Sequence, residues 1–328
     1  MNKIQDAVEG ILSGSIESVE ELKNALEAMG AEALAELVDI IVAQINAMLL
    51  EATTADMVVD DDFKFVAIGD ESAKAEGYVE RLAAAINAEA AENGVSDIEV
   101  VNYAKTGNTV AAERANLSDV TDADLITIGF SNVTFLSNAL DAAMSGNASF
   151  DWAGLLGEEA LPYVEDILAD IKAEIAALEL EEEYTVMLET IVEAMAYNAV
   201  EYAATLPGLI SDIKAVNPDA LIIIVGMYNP LADTTINVGG TEFDISEYVD
   251  YLVDAVAVHG TAYAIISGDA IYVDARDVDV ENPDKELSEL DLLKLINNDF
   301  AALYPSTVGD DYIAGEIADA LDITYVRA

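Results

Sequence analysis

The stretch Leu221-Ile222-Ile223-Ile224-Val225 decides the fold class of this protein. It has large aliphatic residues at every position and no polar one, so a strand built from it would be buried on both faces. Such strands occur in parallel sheets covered by helices, whereas antiparallel strands commonly alternate apolar and polar residues. The stretch therefore predicts a strand of a parallel α/β sheet.

Further apolar runs lie on both sides of this stretch and alternate with segments of helical periodicity. The predicted strands are Phe63–Gly69, Ile98–Ala104, Leu125–Phe130, Ala220–Met227 and a run near Tyr263–Ile266. The predicted helices are Tyr78–Ala91, Val133–Ala143, a long region Leu155–Ile213, Ile245–Val256, Leu290–Ile296 and Asp311–Leu321. Alternating strands and helices of this length predict a three-layer α/β domain in which helices flank a parallel sheet.

The sequence predicts two parts, an N-terminal helical segment over residues 1–60 and the α/β domain over residues 61–328. In the first part, Ser18 begins a capping box and Leu34 to Leu49 form a broad apolar helical face. This segment is either a helical hairpin packed on the main domain or an arm that docks on a partner. The polar residues 51–62 are typical of a linker. Residues 147–205 are acidic with helical periodicity, and predict a helical insert.

The composition excludes several functional classes. The chain has 13 Lys and Arg against 64 Asp and Glu, a formal net charge of −51, one histidine and no cysteine. Nucleic acids and anionic membrane surfaces are excluded as partners, because both require clustered basic residues. The absence of cysteine rules out disulfides, thiolate metal sites and a thiol nucleophile. The large negative charge favours divalent cations as partners.

The apolar runs and the first residues of the chain bear on its cellular localisation. No uninterrupted apolar run reaches the roughly 18 residues that a membrane-spanning helix needs. The first ten residues contain Asp6 and Glu9, where a signal peptide would have a basic flank and an apolar run. We expect a cytoplasmic protein, or an extracellular or cell-surface one if a signal peptide has been removed.

Four sequence blocks occur in a characteristic order after residue 62. They are Gly69-Asp70-Glu71-Ser72, Asn102-Tyr103-Ala104-Lys105-Thr106-Gly107, Gly129-Phe130-Ser131-Asn132, and Ala301-Ala302-Leu303-Tyr304-Pro305. Over roughly residues 63–323 the chain resembles the SGNH, or GDSL-type, hydrolases, a family of α/β esterases and lipases. The resemblance implies a flavodoxin-like three-layer fold with a site at the carboxyl ends of the strands.

The residues that carry the family's chemistry differ in this chain. The resemblance places Glu71 at the position of the family's nucleophilic serine, and Ser72 is the next residue. It places Ser131 at the position of the oxyanion asparagine, and Asn132 follows. Gly107 matches the oxyanion glycine. Ala301 and Tyr304 stand at the acid and the histidine base. A serine needs an adjacent base to attack at neutral pH, so the resemblance implies a degenerate member that lacks the catalytic Ser, Asp and His.

Two other groups of residues could carry chemistry. His259 precedes Gly260 at a predicted helix C-terminus, which favours a structural role over a pairing with Ser72. Alternating acids after Tyr272 form a candidate Ca²⁺ site, since calcium prefers several oxygen ligands from flexible acidic loops. An acidic, solvated loop is the alternative for this cluster. The candidate ligands are Asp274, Asp277, Asp279, Glu281 and Asp284.

Three functions remain open from the sequence. The first is a non-catalytic, structural or binding module that self-assembles through its N-terminal helices and depends on cations. The second is an esterase that uses Ser72 in a shifted register. The third is a carbohydrate- or small-ligand-binding protein that uses the vestigial cleft, where Phe130, Tyr228 and Tyr304 could stack on a ligand. No cofactor is expected apart from Ca²⁺ in the first case.

Overall fold

A computed structural model describes residues 55–73, 77–145, 149–158, 161–177, 179–232, 235–238, 241–244, 246–280, 286–287 and 303–327. The chain divides into two compact units, Met1–Thr53 and Thr54–Ala328, and every described residue belongs to the second. The predicted N-terminal helices and the predicted helix Leu290–Ile296 lie outside the described residues.

The main sheet has five parallel strands, as the aliphatic runs predict. They are β2 (Lys64–Gly69), β3 (Glu99–Asn102), β4 (Leu125–Gly129), β5 (Leu221–Val225) and β8 (Ile271–Val273). Their order across the sheet is β3-β2-β4-β5-β8, with parallel pairing throughout. In chain order this is the 2-1-3-4-5 arrangement of flavodoxin-like folds, which has a topological switch point between its first and third strands, here β2 and β4.

Helices cover both faces of this sheet. They are α1 (Tyr78–Asn93), α2 (Val110–Arg114), α3 (Asn132–Ser145), α4 (Trp152–Leu156), α5 (Leu161–Ala177), α6 (Glu182–Val216), α7 (Ser246–Ser267) and α8 (Thr307–Asp319). Short 3-10 helices lie at Glu71–Ala73 and Leu117–Val120. No helix in the described part of the chain is long and apolar enough to cross a membrane.

Alternate residues of each central strand enter two separate cores. In β5, Ile223 and Val225 join a core with α1 and α8, whereas Ile222 and Ile224 join a core with the C-terminal half of α6 and part of α7. A strand with a helical layer on each side must be apolar at both alternations. This arrangement confirms the three-layer α/β fold.

The prediction of a strand near Tyr263–Ile266 is wrong, because these residues belong to α7. The buried residues Val249, Val253, Val256, Gly260 and Ala264 recur at helical spacing along this helix. Gly260 does not end the helix as predicted, since the helix runs on to Ser267. The ring of Tyr272 packs so closely on Gly260 that a β-carbon there would lie 2.8 Å from it. The fifth strand is β8, immediately after α7.

The predicted linker over residues 51–62 contains a strand. β1 (Ala55–Val59) pairs in parallel with β10 (Leu321–Tyr325) in a separate two-stranded sheet. Met57 and Val59 are buried whereas Val58 is 57% exposed, so one face of the strand packs on the domain. The structured domain therefore begins within the stretch that we interpreted as a linker.

The predicted insert over residues 147–205 is largely helical, with α4, α5 and most of α6 within it. Helix α6 continues through Pro207 to Val216, beyond the predicted end of the insert. A small sheet of β6 (Thr235–Val238), β7 (Thr241–Asp244) and β9 (Glu286–Leu287) follows.

Candidate functional site

The candidate site lies at the switch point, where β2 and β4 end side by side. Ligands of open α/β sheets bind at the carboxyl ends of the strands, in the crevice at this point. Gly69 has a φ of 137°, a conformation that favours glycine, and a β-carbon there would overlap the carbonyl oxygen of Gly129. The Asp70 N–H donates to that same oxygen at 2.9 Å. The two strand ends are thus held in close contact.

Asp70 is the centre of the site and is fully buried. Its Oδ1 accepts a hydrogen bond from the Ser72 N–H at 2.9 Å. Its Oδ2 accepts from the Ser131 N–H at 2.7 Å, the Ser131 hydroxyl at 2.9 Å and the Thr134 hydroxyl at 2.7 Å. Burial raises the pKa of this carboxyl, while the hydrogen bonds from Thr134, Ser72 and Ser131 oppose that shift. The carboxyl therefore ties β2, the first turn after it and the start of α3 together.

Ser131, which the resemblance sets against the oxyanion asparagine, and the next residue, Asn132, follow the end of β4. Both Ser131 donors point to Asp70, so neither is directed at a bound molecule. Asn132 is fully buried, and its Nδ2 donates to the carbonyl oxygen of Tyr228 at 3.2 Å. The Tyr228 hydroxyl in turn donates to the Leu303 carbonyl at 3.1 Å. These side chains connect the ends of β4 and β5 to the loop before α8.

Ser72, the alternative nucleophile, lies in the 3-10 helix directly after Asp70. Ser72 is 8% exposed, and its backbone N–H donates a hydrogen bond to the Asp70 carboxyl. Glu71 begins the same 3-10 helix; its side chain lies outside the described part of the structure. His259 is an exposed residue in the middle of α7, and no hydrogen bond joins it to Ser72 among the described residues. The structure therefore does not bring the lone imidazole to Ser72.

Gly107 lies in the loop after β3, with a φ of 65°. The next residue, Asn108, donates from Nδ2 to the Gly69 carbonyl at 2.8 Å and to a carboxyl oxygen of Glu113 on α2. Asn108 and Glu113 are both buried, and burial raises the pKa of Glu113. Sequence reasoning did not find this pair. The available signal was Thr109, an N-cap residue whose hydroxyl accepts from the Ala112 N–H at 3.2 Å and so starts α2 beside the site.

Tyr304 lies in the loop that connects to α8 and is half-buried. The loop ends in a helix cap, since the Ser306 hydroxyl accepts from the Gly309 N–H at 3.1 Å. The match of Tyr304 to the family's base stays a prediction. Ala301 lies outside the described residues.

A small cleft lies beside the buried carboxyl. Phe130, Thr134, Asn108 and Tyr202 contribute to its walls, and its volume is about 100 Å³. Pockets for drug-sized ligands have volumes of about 300 to 1,000 Å³. The rings of Phe130 and Tyr202 pack against each other with centroids 5.7 Å apart. Both rings are buried, so the Phe130 ring packs in the core of the domain.

The candidate calcium ligands have other partners where they are described. Arg276 donates to both carboxyl oxygens of Asp274, at 3.0 Å from Nε and 2.6 Å from Nη2. Asp279 accepts from the Ser306 hydroxyl at 2.7 Å. Among the described residues, no three acidic or imidazole side chains are arranged to hold a metal ion. Glu281 and Asp284 lie outside those residues, so the calcium site stays a prediction.

The chain was compared with known protein families, curated proteins and solved structures. No family model matches the chain, and no curated protein matches it. Among solved structures, the lipase Lip_vut3 from a goat rumen metagenome is 16% identical, with a TM-score of 0.38, over 79% of this chain and 97% of that one. An extracellular lipase from Streptomyces rimosus is 13% identical, with a TM-score of 0.44, over 79% and 99%. The esterase EstA from Pseudoalteromonas is 13% identical, with a TM-score of 0.37, over 79% and 96%.

Proposed function

We propose that this protein is a non-catalytic, SGNH-hydrolase-like module with a structural or assembly role. The observation that carries the proposal is the use of both Ser131 donors by the buried Asp70 carboxyl. An oxyanion hole needs donors that point to the developing negative charge, and removal of one donor typically lowers the rate by about 100- to 1,000-fold. Here the groups at that position stabilise the fold instead.

The surroundings of Ser72 support the same proposal. A nucleophilic serine must be accessible and must have a base within hydrogen-bond reach. Ser72 is 8% exposed, and the carboxyl beside it already accepts hydrogen bonds from Ser72, Ser131 and Thr134. The adjacent cleft of about 100 Å³ leaves little room for an acyl chain.

The absence of catalysis can be tested with short acyl esters and a fluorophosphonate probe that labels activated serines. We expect the purified chain and Ser72→Ala to hydrolyse p-nitrophenyl acetate at the same rate, and neither to be labelled. A turnover that disappears in Ser72→Ala, together with labelling at Ser72, would overturn the proposal in favour of the shifted-register esterase.

The assembly role rests on the charge of −51 and on the predicted apolar face of the N-terminal helices. We expect sedimentation velocity to detect oligomers of the full chain whose fraction grows with protein and salt concentration. Ile41→Glu should lower that fraction because it places a charge on the predicted face. Gln44→Glu is the matched control, since it adds the same charge at a polar position. A monomer at every concentration and salt level would contradict the assembly role.

A further inference from the structure

A second, larger cleft lies in the helical insert, among α4, α5 and α6. Its volume is about 410 Å³, within the range of about 300 to 1,000 Å³ that is common for small-molecule sites. None of its lining residues belongs to the candidate site at the switch point. The functions discussed so far make no use of it.

One wall of this cleft is a single face of α5. Leu161, Glu165, Leu168 and Lys172 line it, and their spacings of three and four residues place them in one row on the helix. Leu168 is buried, whereas Glu165 is exposed. The row therefore presents an apolar base with one carboxylate and one ammonium above it.

Another part of the lining is an aromatic wall, formed by Phe150 and Trp152. The ring of Tyr197 packs against both, with centroid distances of 5.4 Å and 5.1 Å. Aromatic faces attract cations that lie within about 6 Å of the ring centroid. Phe150 is partly exposed, so its ring can contact a bound molecule.

The side chains that line the cleft carry a net negative charge. Lys172 pairs with Glu193 at 2.7 Å, and the indole N–H of Trp152 donates to Glu193 at 3.4 Å. Asp151 caps α4 by accepting from the Gly154 N–H at 2.9 Å. Among the side chains that the structure describes, Glu165 has no hydrogen-bond or ion-pair partner. After Lys172 and Glu193 neutralise each other, the carboxylates of Glu165 and Asp151 remain.

We propose that this cleft binds a small organic cation, an ammonium group on an apolar body. Leu161 and Leu168 would contact the apolar part, and the ammonium group would lie between the Phe150 ring and the Glu165 carboxylate. A simple metal cation would make no use of the aromatic wall. An organic anion would meet the two remaining carboxylates and would have to displace Glu193 from Lys172.

The position of the tryptophan makes this binding directly measurable. Trp152 is the only tryptophan of the chain, so its fluorescence reports on this cleft alone. We expect benzyltrimethylammonium chloride to change the fluorescence of the full chain saturably. Benzyl alcohol, sodium phenylacetate and NaCl at equal ionic strength should produce no saturable change. Isothermal titration calorimetry should give the same dissociation constant.

Variants separate a specific site from general attraction of cations to an acidic surface. Glu165→Gln should weaken binding about three- to fivefold, which corresponds to the upper part of the range for exposed ion pairs. Phe150→Leu should weaken it about two- to fivefold, since it removes the ring but keeps an apolar side chain. Asp170→Asn removes the same charge from α5 outside the cleft and should leave the dissociation constant unchanged.

Two results would overturn the proposal. One is the absence of a saturable change with the ammonium probe in both fluorescence and calorimetry. The other is an equal loss of affinity in Glu165→Gln and Asp170→Asn, which would indicate a diffuse ion atmosphere. Circular dichroism of Glu165→Gln and Asp170→Asn should match that of the parent, because both carboxylates are exposed.

Discussion

Asp70 shows how a carboxylate in an apparent active-site position can serve the fold. Replacing it with asparagine would turn one acceptor oxygen into an NH₂ group that faces backbone and hydroxyl donors. We expect Asp70→Asn to lower the free energy of unfolding by about 2 kcal/mol, the typical cost of an unsatisfied buried polar group. Urea denaturation measures this change. Asp219→Asn is the control at an exposed position, and it should change stability by less than about 0.5 kcal/mol. Equal effects of the two substitutions would contradict this assignment.

The pH dependence of stability should reveal the buried Glu113. Because burial raises the pKa of Glu113, the folded state keeps its proton at pH values where the unfolded state loses it. Its contribution to stability is fully present below the ordinary carboxyl pKa of 4.5 and is lost as the pH rises through the raised value. Glu113→Gln keeps an acceptor for Asn108 without the charge. We expect it to be more stable than the parent at pH 7, and the difference to shrink towards pH 4 in chemical denaturation. A difference that grows on acidification would have the wrong sign.

Among the secondary-structure elements, β1 marks where the domain begins, and substitutions in this strand test that boundary. Val58 and Val59 are neighbours in this strand, with exposures of 57% and 0%. We expect Val59→Ala to lower the free energy of unfolding by about 1.5 to 3 kcal/mol, because it removes two buried methyl groups, each worth about 0.8 kcal/mol, and leaves a cavity. Val58→Ala is the matched control and should cost less than about 0.5 kcal/mol. If both variants were equally mild in urea denaturation, the strand would not be part of the cooperative domain.

The pairing of β1 with β10 joins the two ends of the domain. β1 and β10 come from opposite ends of the described chain and hydrogen-bond only to each other among the described strands. The hydroxyl of Tyr325 in β10 also donates to the Ile86 carbonyl of α1 at 3.4 Å. The pair thus connects both ends of the domain to a helix that packs on the main sheet.

At the scale of the whole molecule, the net charge of −51 dominates the response to salt. Repulsion among carboxylates opposes compactness, and salt weakens it as the Debye length falls from about 30 Å at 0.01 M to about 10 Å at 0.1 M. We expect the melting temperature to rise with NaCl and more steeply with CaCl₂ if calcium binds the folded state. Thermal melts in the two salts at equal ionic strength separate screening from binding.

A pair of variants distinguishes a specific calcium site from a general effect of removing charge. A specific site would saturate at low CaCl₂ and would be weakened in Asp277→Asn with Glu281→Gln, because Asp274 and Asp279 already have partners in the fold. Asp219→Asn with Asp269→Asn removes the same number of charges outside the candidate calcium site, at two exposed positions. Identical responses to the two salts would remove the calcium site, and a melting temperature indifferent to both would refute the charge argument.

Local patterns in the sequence predicted a parallel sheet and four of its five strands. Continuous aliphatic runs such as residues 221–225 can be buried on both faces only in a covered parallel sheet, and four strands of the main sheet were found in this way. The ends of these strands located Asp70, Ser72, Ser131 and Asn132. The composition alone excluded thiol chemistry and partners that need basic residues.

Three features of the fold depend on contacts between residues that are distant in the sequence, so local patterns did not predict them. Gly260 lies inside a helix, where the Tyr272 ring of the next strand packs too closely for a β-carbon. Residues 55–59 form a strand because residues 321–325 supply its hydrogen-bond partners. The Ser131 hydroxyl donates to Asp70 because β2 and β4 end side by side. Sequence periodicity carries the local preference of a segment, whereas these outcomes depend on which partner the fold brings within hydrogen-bond or van der Waals distance.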